Sequence, residues 1–149
     1  MKLDETNKAI IKELSNGRKA FSTIAEKIGI TENTVRSRVN KLVEDGVLQI
    51  SGLVNPQYIP EMQVVVMGVK LSTLDLEEKA KEMLRLKGVI SVMVVTGRYD
   101  LIVQVVTSSA DDQSLLNFFK NELSKIKGIS DVETFVVYQS HNYMIPYTL

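Results

Sequence analysis

The fold of the N-terminal half is decided by residues 22–41, which read STIAEKIGITENTVRSRVNK. Gly29 permits the left-handed backbone that a tight turn between two helices needs. Ser22 stands where the first helix needs an N-cap, and Thr31 stands where the second one does. On both sides of Gly29 apolar residues recur at helical spacing, namely Ile24, Ala25, Ile28, Val35 and Val39. The stretch therefore predicts a helix-turn-helix, with the small Ala25 where the two helices cross.

The residues around this motif predict a small helical domain over residues 1–54. An earlier apolar burst at residues 9–14 predicts a first helix, which makes three short helices in all. Beyond them, the short apolar segments 47–50 and 53–54 favour two extended pieces that form a short wing. Two prolines and an asparagine then interrupt the pattern, so residues 55–61 are the predicted linker.

Residues 62–149 change to a pattern rich in β-branched and aromatic residues, which predicts strands. Four strands and two helices are predicted, in chain order at residues 64–71, 76–86, 89–96, 101–106, 111–126 and 132–138. Leu86-Lys87-Gly88-Val89 recurs as Ile126-Lys127-Gly128-Ile129, which indicates a weak internal repeat. The order βαββαβ predicts a ferredoxin-like domain with both helices on one face of the sheet, and the chain as a whole is α+β.

Apolar residues occupy both parities of several predicted strands, so both faces of the sheet should carry apolar side chains. The two helices can cover only one of these faces. We therefore expect a second copy of the chain to cover the other face, because a large exposed apolar surface is rare in a monomer.

The composition excludes several classes of chemistry. The 149 residues contain no cysteine and one histidine, so disulfides, thiolate nucleophiles, cysteine-based metal sites and histidine triads are ruled out. No signal-peptide segment and no apolar run of membrane-spanning length is present. We therefore expect a soluble cytoplasmic protein that is not an enzyme, with no catalytic residue, no metal, no cofactor and no membrane partner. The histidine, His141, lies in a polar tail and is assigned no chemistry.

The second helix of the motif carries polar side chains opposite its apolar stripe. Such a face can enter the major groove of DNA, where arginine donates to guanine and asparagine pairs with adenine. The candidate DNA contacts are Ser22, Thr31, Asn33, Thr34, Arg36, Ser37, Arg38 and Lys41. The candidate phosphate contacts are Arg18, Lys19, Lys27 and Lys41. The alternative is an ordinary solvated helix face.

Charge gives this DNA interpretation slight support. Lysines and arginines balance aspartates and glutamates at 18 each, so the chain as a whole gives no electrostatic reason to bind nucleic acid. Residues 1–55 hold nine basic and seven acidic residues, whereas residues 56–149 hold nine and eleven. The small basic excess lies on the helical half, where the motif is.

A second candidate site is the hairpin predicted between two strands at Gly97-Arg98-Tyr99-Asp100. Gly97 can adopt a positive φ and expose neighbouring amides, which suit an α-carboxylate, while the carboxylate of Asp100 suits an ammonium group. A free amino acid needs both partners, together with a pocket for its side chain. Turn chemistry alone is the alternative reason for the glycine and the aspartate.

These residues resemble the leucine-responsive (Lrp/AsnC, or feast/famine) transcription regulators of bacteria and archaea. Residues 16–31 are similar to the entry of that family's helix-turn-helix, and Thr34-Val35-Arg36-Ser37-Arg38-Val39 resembles its recognition helix. Gly46-Val47-Leu48 resembles the step into its first strand, and Gly97-Arg98-Tyr99-Asp100-Leu101 matches its G-x-Y-D-L hairpin. The resemblance covers nearly the whole chain, although the connection after Leu48 is shorter than usual and Val43 replaces a common glutamate.

The resemblance implies a regulator that binds a palindromic site in double-stranded DNA and responds to an amino-acid effector. It implies a homodimer that can assemble to an octamer, with the effector held at a junction between dimers. Thr134 and Val136 of the last strand are carried over as pocket residues, beside Gly97, Arg98, Tyr99 and Asp100.

Two other classes of protein stay open at this point. One is an amino-acid-sensing regulatory subunit of an enzyme, since ferredoxin-like domains serve that purpose as well. The other is a winged-helix module that binds protein instead of DNA, which the balanced charge mildly favours. If the chain binds DNA in a groove, its affinity for DNA should fall steeply as the salt concentration rises. Such a result would exclude both alternative classes of protein.

Overall fold

The computed structural model describes residues 3–109 and 114–148 of the chain. The chain forms two compact units, Met1–Ser51 and Gly52–Leu149. The boundary lies before the predicted linker, because residues 55–61 belong to the second unit. There, Pro56–Tyr58 form a 3-10 turn in which Pro56 is buried. The proline and asparagine signals therefore mark a packed turn and not a connection between domains.

The first unit contains three helices, which are α1 (Glu5–Glu13), α2 (Phe21–Ile28) and α3 (Glu32–Glu44). The Asp4 side chain caps α1 by accepting the N–H of Asn7 at 2.7 Å. Thr31 caps α3 by accepting the N–H of Thr34 at 3.2 Å, as predicted. Gly29 ends α2 with a φ of +72°, which confirms the predicted turn.

The prediction that Ser22 caps α2 is wrong. The helix begins one residue earlier, at Phe21, and Ala20 occupies the N-cap position without a side-chain hydrogen bond. Phe21 is partly buried against the core of the unit, so an apolar contact fixes the start of the helix. Ser22 lies exposed in the first turn.

The core of the first unit is the apolar stripe that defined the motif. Its buried residues are Ile10, Ile24, Ala25, Val35 and Val39. Each large side chain among them contributes about 1.5–3 kcal/mol by leaving water. This packing holds α2 and α3 together and leaves the opposite face of α3 in solvent.

The predicted wing does not form as a pair of neighbouring extended segments. Residues 47–50 have no strand structure, while β1 (Leu53–Val54) pairs antiparallel with β6 (Ile145–Pro146) near the other end of the chain. Two residues offer too little pairing to be stable alone, so the distant segment completes the ladder. That partner could not be predicted from local periodicity.

The second unit has the predicted βαββαβ order. The elements are β2 (Met62–Leu71), α4 (Leu76–Leu84), β3 (Val89–Val94), β4 (Leu101–Ser108), α5 (Leu115–Asn117) and β5 (Ile129–Val136). The four strands form an antiparallel sheet in the order β3-β4-β2-β5. The predicted helix at 111–126 starts outside the described residues, and beyond α5 it continues as a π turn (Phe118–Glu122) and a 3-10 turn (Leu123–Lys125).

The two faces of the sheet are covered differently. Alternate residues of the two central strands pack with α4 and the segment after α5 in one core, which includes Val65, Met67, Val69, Leu101, Val103, Val105, Met83 and Phe118. On the opposite face a smaller cluster covers one end, and it contains Met62, Val64, Val106 and Ile145. The rest of that face carries Val66, Ile102, Met93 and Phe135, of which Met93 and Phe135 are 42% and 48% exposed. We name these four residues the open apolar patch.

Within the part of the chain that is described, no helix is long and apolar enough to cross a membrane. The same residues contain no group of three or more acidic or histidine side chains placed to hold a metal ion.

Candidate DNA-binding helix and effector hairpin

The outer face of α3 carries a shallow polar depression. Its lining residues recur three or four positions apart and are Asn33, Arg36, Ser37, Asn40, Lys41 and Glu44. All six are exposed. Four of them were predicted from the sequence, whereas Asn40 and Glu44 were missed, although the same helical spacing could have found them.

Asn33 and Ser37 are the freest of the predicted side chains on this face. Among the described residues, none hydrogen-bonds the side chain of either one. Arg36 is more constrained, because its guanidinium pairs with Glu32 at 2.8 Å and lies 5.4 Å from the centre of the Phe21 ring. All three side chains remain accessible to a large ligand approaching α3.

Arg38 does not lie on this outer face, contrary to the prediction. Its Nη1 donates to Asp4 Oδ2 at 2.6 Å and to Asn7 Oδ1 at 3.0 Å, and only 34% of its side chain is exposed. The hydrogen bond from Arg38 is also the main cause that lowers the pKa of Asp4. Helical geometry explains the error, since Arg38 follows Ser37 by 100° around the helix and so turns toward α1. Arg38 fixes α3 against α1.

Three hydroxyl side chains remain among the predicted DNA contacts. Two of them lie at the helix cap, and the third is exposed to solvent. Thr31 Oγ1 and Thr34 Oγ1 lie 2.8 Å apart and share a hydrogen bond, in addition to the cap bond from the Thr34 amide. These two side chains therefore set the start of α3. Ser22 is exposed and free to contact a ligand.

Two of the predicted phosphate contacts are held by a carboxylate. Lys19 and Lys27 reach Glu13 at 2.5 Å and 2.7 Å, and the Glu13 side chain is only 9% exposed. The hydrogen bonds from Lys19 and Lys27 lower the pKa of Glu13 to about 2. Lys41 is looser, at 3.8 Å from Asp45, and Arg18 is exposed. Lys41 and Arg18 are thus the better placed basic groups.

The predicted hairpin joins β3 to β4, and Gly97 adopts a φ of +119° as expected. Tyr99 folds back so that its ring lies against Gly68 in the middle of β2. A Cβ at position 68 would lie 2.6 Å from Tyr99 Cδ2, so only glycine allows this contact. The hairpin therefore rests on the face of the sheet that α4 and α5 do not cover.

Asp100 was predicted to bind the ammonium group of a ligand, but its carboxylate is engaged within the chain. One oxygen accepts the N–H of Leu71 at 2.8 Å and the other accepts Lys70 Nζ at 2.9 Å, and the side chain is 18% exposed. The hydrogen bond from the Leu71 amide, followed by that from Lys70, lowers the pKa of Asp100. Its carboxylate ties the hairpin to the end of β2, so the ammonium partner it has in this structure is Lys70.

Arg98 is the exposed charge of the hairpin. Its guanidinium lies 5.4 Å from the centre of the Tyr99 ring and 3.5 Å from Glu133 on β5. Neither Glu133 nor Lys70 was predicted, because nothing in the local sequence links those strands to the hairpin. The structure thus brings three charged side chains, Arg98, Glu133 and Lys70, around the hairpin.

Thr134 and Val136 lie on the opposite face from Glu133. They pair with Met67 and Val65, whose side chains face α4 and α5, whereas Glu133 pairs with Gly68 beneath the Tyr99 ring. Directly paired residues of antiparallel strands share a face. One chain therefore does not gather the hairpin, Thr134 and Val136 around a single cavity.

The chain is similar to known regulators along nearly its whole length. The AsnC-type helix-turn-helix domain matches residues 3–43, and the Lrp/AsnC ligand binding domain matches residues 64–145. An uncharacterized HTH-type transcriptional regulator of Pyrococcus horikoshii, PH0140, is 32% identical over 92% of this chain and 87% of its own length.

Solved structures share the fold. The crystal structure of PH0061 has a TM-score of 0.79 at 22% identity and covers 97% of this chain and 99% of its own. The regulator NMB0573 of Neisseria meningitidis, solved in complex with L-Met, has a TM-score of 0.67 at 21% identity and covers 99% and 96%. With both domain matches and a relative of this similarity, the chain belongs to the Lrp/AsnC family of HTH-type, DNA-binding transcriptional regulators.

Proposed function

We propose that the protein reads its DNA site through the outer face of α3, with Asn33 and Ser37 contacting base edges and Lys41 and Arg18 contacting phosphates. The observation that carries this assignment is the exposed polar depression of α3 opposite the apolar core. A recognition helix presents its N-terminal residues to the major groove, and Asn33 lies in the first turn of α3. Arg36 is a further candidate base contact, but its guanidinium must first break its ion pair with Glu32.

A matched set of variants tests this assignment, after the preferred DNA sequence has been selected from a random pool with the full chain. Asn33→Ala should weaken binding to the selected site by roughly 5- to 150-fold, which corresponds to about 1–3 kcal/mol, and should change binding to random DNA little. Gln139→Ala removes an exposed amide side chain of the second unit and should leave both affinities unchanged. Electrophoretic shift at fixed salt measures the two affinities.

Arg38→Ala separates base reading from the positioning role of Arg38. Losing the bonds to Asp4 and Asn7 should lower thermal stability and weaken selected and random DNA by similar factors. A selective loss for the chosen site in Arg38→Ala, with none in Asn33→Ala, would contradict the assignment of the outer face.

We further propose that an amino acid is the effector and that its carboxylate binds the hairpin amides beside Gly97 and Tyr99, with Arg98 as the nearby cation. The positive φ of Gly97 and the exposure of Arg98 support this assignment. The ligand binding domain match and the L-Met complex of the Neisseria relative point to the same class of ligand. Asp100 acts here through its hold on the hairpin, since both of its oxygens are engaged.

The placement of Thr134 and Val136 supports a site shared between chains. Because these residues and the hairpin lie on opposite faces of one sheet, we propose that they come together only between different chains, at a junction between dimers. The expected assembly is a homodimer formed through the open apolar patch, with an octamer as the larger form. Two recognition helices related by a two-fold axis would then read a palindromic site, with half-sites about one helical turn apart.

A regulator that binds chromosomal DNA works in the compartment that holds it, so we propose a cytoplasmic location. No sequence or structural feature of the site implies a metal or an organic cofactor, and we propose a binding function in place of catalysis.

A further inference from the structure

A cavity of about 200 Å³ lies in the second unit, apart from the hairpin. Its wall includes Lys87, Gly88, Ser114, Phe118, Asn121 and Glu122. Gly88 directly precedes β3, whereas the hairpin follows the last residue of that strand. The cavity and the hairpin are therefore at opposite ends of β3.

The helical wall of this cavity departs from regular geometry. Phe118–Glu122 form a π turn, which supplies Phe118, Asn121 and Glu122 to the cavity. The helix at the corresponding place in the internal repeat, α4, is an ordinary α-helix ending at Leu84. The fold therefore does not require the irregular turn, and π turns of this kind are frequent at functional sites.

Two hydrogen bonds fix the segment at Lys87 and Gly88, which forms the other wall. Glu122 accepts the N–H of Lys87 at 3.2 Å, and Gly88 accepts the N–H of Val106 at 2.8 Å. A Cβ at position 88 would lie 2.7 Å from the carbonyl oxygen of Val106, so glycine allows the two segments to approach. These contacts fix the position of Gly88 in the cavity wall.

The charges around the cavity favour an anion. Lys87 is exposed and makes no ion pair with any residue in the ranges 3–109 and 114–148, although its charge, after the hydrogen bond from Lys125, helps to lower the pKa of Glu122. The carboxylate of Glu122 is already paired with Lys125 at 2.8 Å. Phe118, which belongs to the apolar core, gives the same cavity a nonpolar wall.

We propose that this cavity is a second binding site, for a small organic carboxylate with a short apolar end. Lys87 pairs with the carboxylate, the Asn121 amide donates to it, and Phe118 contacts the apolar end. A cavity of about 200 Å³ has room for an acid of this size, such as a branched five-carbon acid. This site is independent of the amino-acid site proposed at the hairpin.

Titration calorimetry of the full chain with isovalerate tests the proposal. The internal repeat offers a matched control, because Lys127 occupies the position equivalent to Lys87 and does not line the cavity. Lys87→Gln should weaken isovalerate binding at least tenfold, whereas Lys127→Gln and Arg98→Ala should leave it unchanged. Isovaleramide, the neutral amide of the same shape, should bind at least tenfold more weakly than the acid.

Three results would overturn the proposal. They are no heat of binding at millimolar isovalerate, equal binding of the acid and the amide, and binding that Arg98→Ala removes while Lys87→Gln preserves it. The last result would assign the acid to the hairpin and would leave the function proposed for the hairpin intact.

Discussion

The carboxylate of Glu13, at the end of α1, is nearly buried and pairs with two lysines at opposite ends of α2. Lys19 precedes α2 and Lys27 lies in its last turn, and both ammonium groups reach the same side chain. The carboxylate thus fixes the scaffold on which α3 rests. Its low pKa makes this contribution to stability dependent on pH.

Glu13→Gln should lower the urea midpoint of the full chain at pH 7. The pKa of Glu13 is about 2 in the folded chain, against an ordinary value of 4.5, so its stabilising effect is complete above about pH 4.5. The effect is lost as pH falls through the range from 4.5 to about 2. The difference between wild type and variant, followed by circular dichroism, should therefore shrink between pH 7 and pH 3. Glu26→Gln, at an exposed glutamate of α2, is the control, and an unchanged difference at both pH values would contradict the assignment.

Residue roles were harder to predict than residue positions. Arg38 and Asp100 have the right chemistry for a base contact and an ammonium contact, yet each is engaged by partners distant in sequence. Asp4 is 34 positions from Arg38, and Lys70 is 30 positions from Asp100. Local spacing carries no information about such partners.

At the scale of elements, periodicity predicted every long helix and strand of the chain within the described residues. Gly29 correctly predicted the end of α2, and Thr31 correctly predicted the start of α3, because both residues act on the backbone beside them. The extended segment at residues 53–54 was predicted and forms β1, but its partner β6 was not predicted, because it lies more than ninety positions away. The π turn after α5 was missed for a different reason. Its residues keep an apolar spacing close to that of an α-helix, so the sequence pattern does not distinguish the two.

Successive side chains of β5 point to opposite faces of the sheet, and this alternation limits what can be predicted about the effector site. Glu133 lies beneath the hairpin, while its neighbour Thr134 points to the helical face. Resemblance gave Thr134 and Val136 as pocket residues, and strand geometry alone would have separated them from the hairpin. This separation is the reason that we propose a site shared between two chains.

At the scale of the whole molecule, the open apolar patch is the expected dimer interface. Phe135→Glu places a charge within the patch and should convert the proposed dimer to a monomer at micromolar concentrations, because burying an unpaired carboxylate is costly. Leu74→Glu changes a residue that is 96% exposed and should leave the assembly intact. Light scattering coupled to size-exclusion chromatography measures the mass. A wild-type monomer, or a dimer that survives Phe135→Glu, would contradict the proposed interface.

We propose that an amino acid bound by the second unit changes the DNA affinity of the first. The most direct test is the dissociation constant for the selected DNA site, measured with each of the twenty amino acids in turn. At least one should change it by about 5- to 150-fold, and DNA should change the affinity for that amino acid by the same factor. Arg98→Ala should remove the response, while Arg85→Ala, at an exposed arginine of the same unit, should retain it. A DNA affinity that none of the twenty amino acids alters would contradict the proposed regulation by an amino acid.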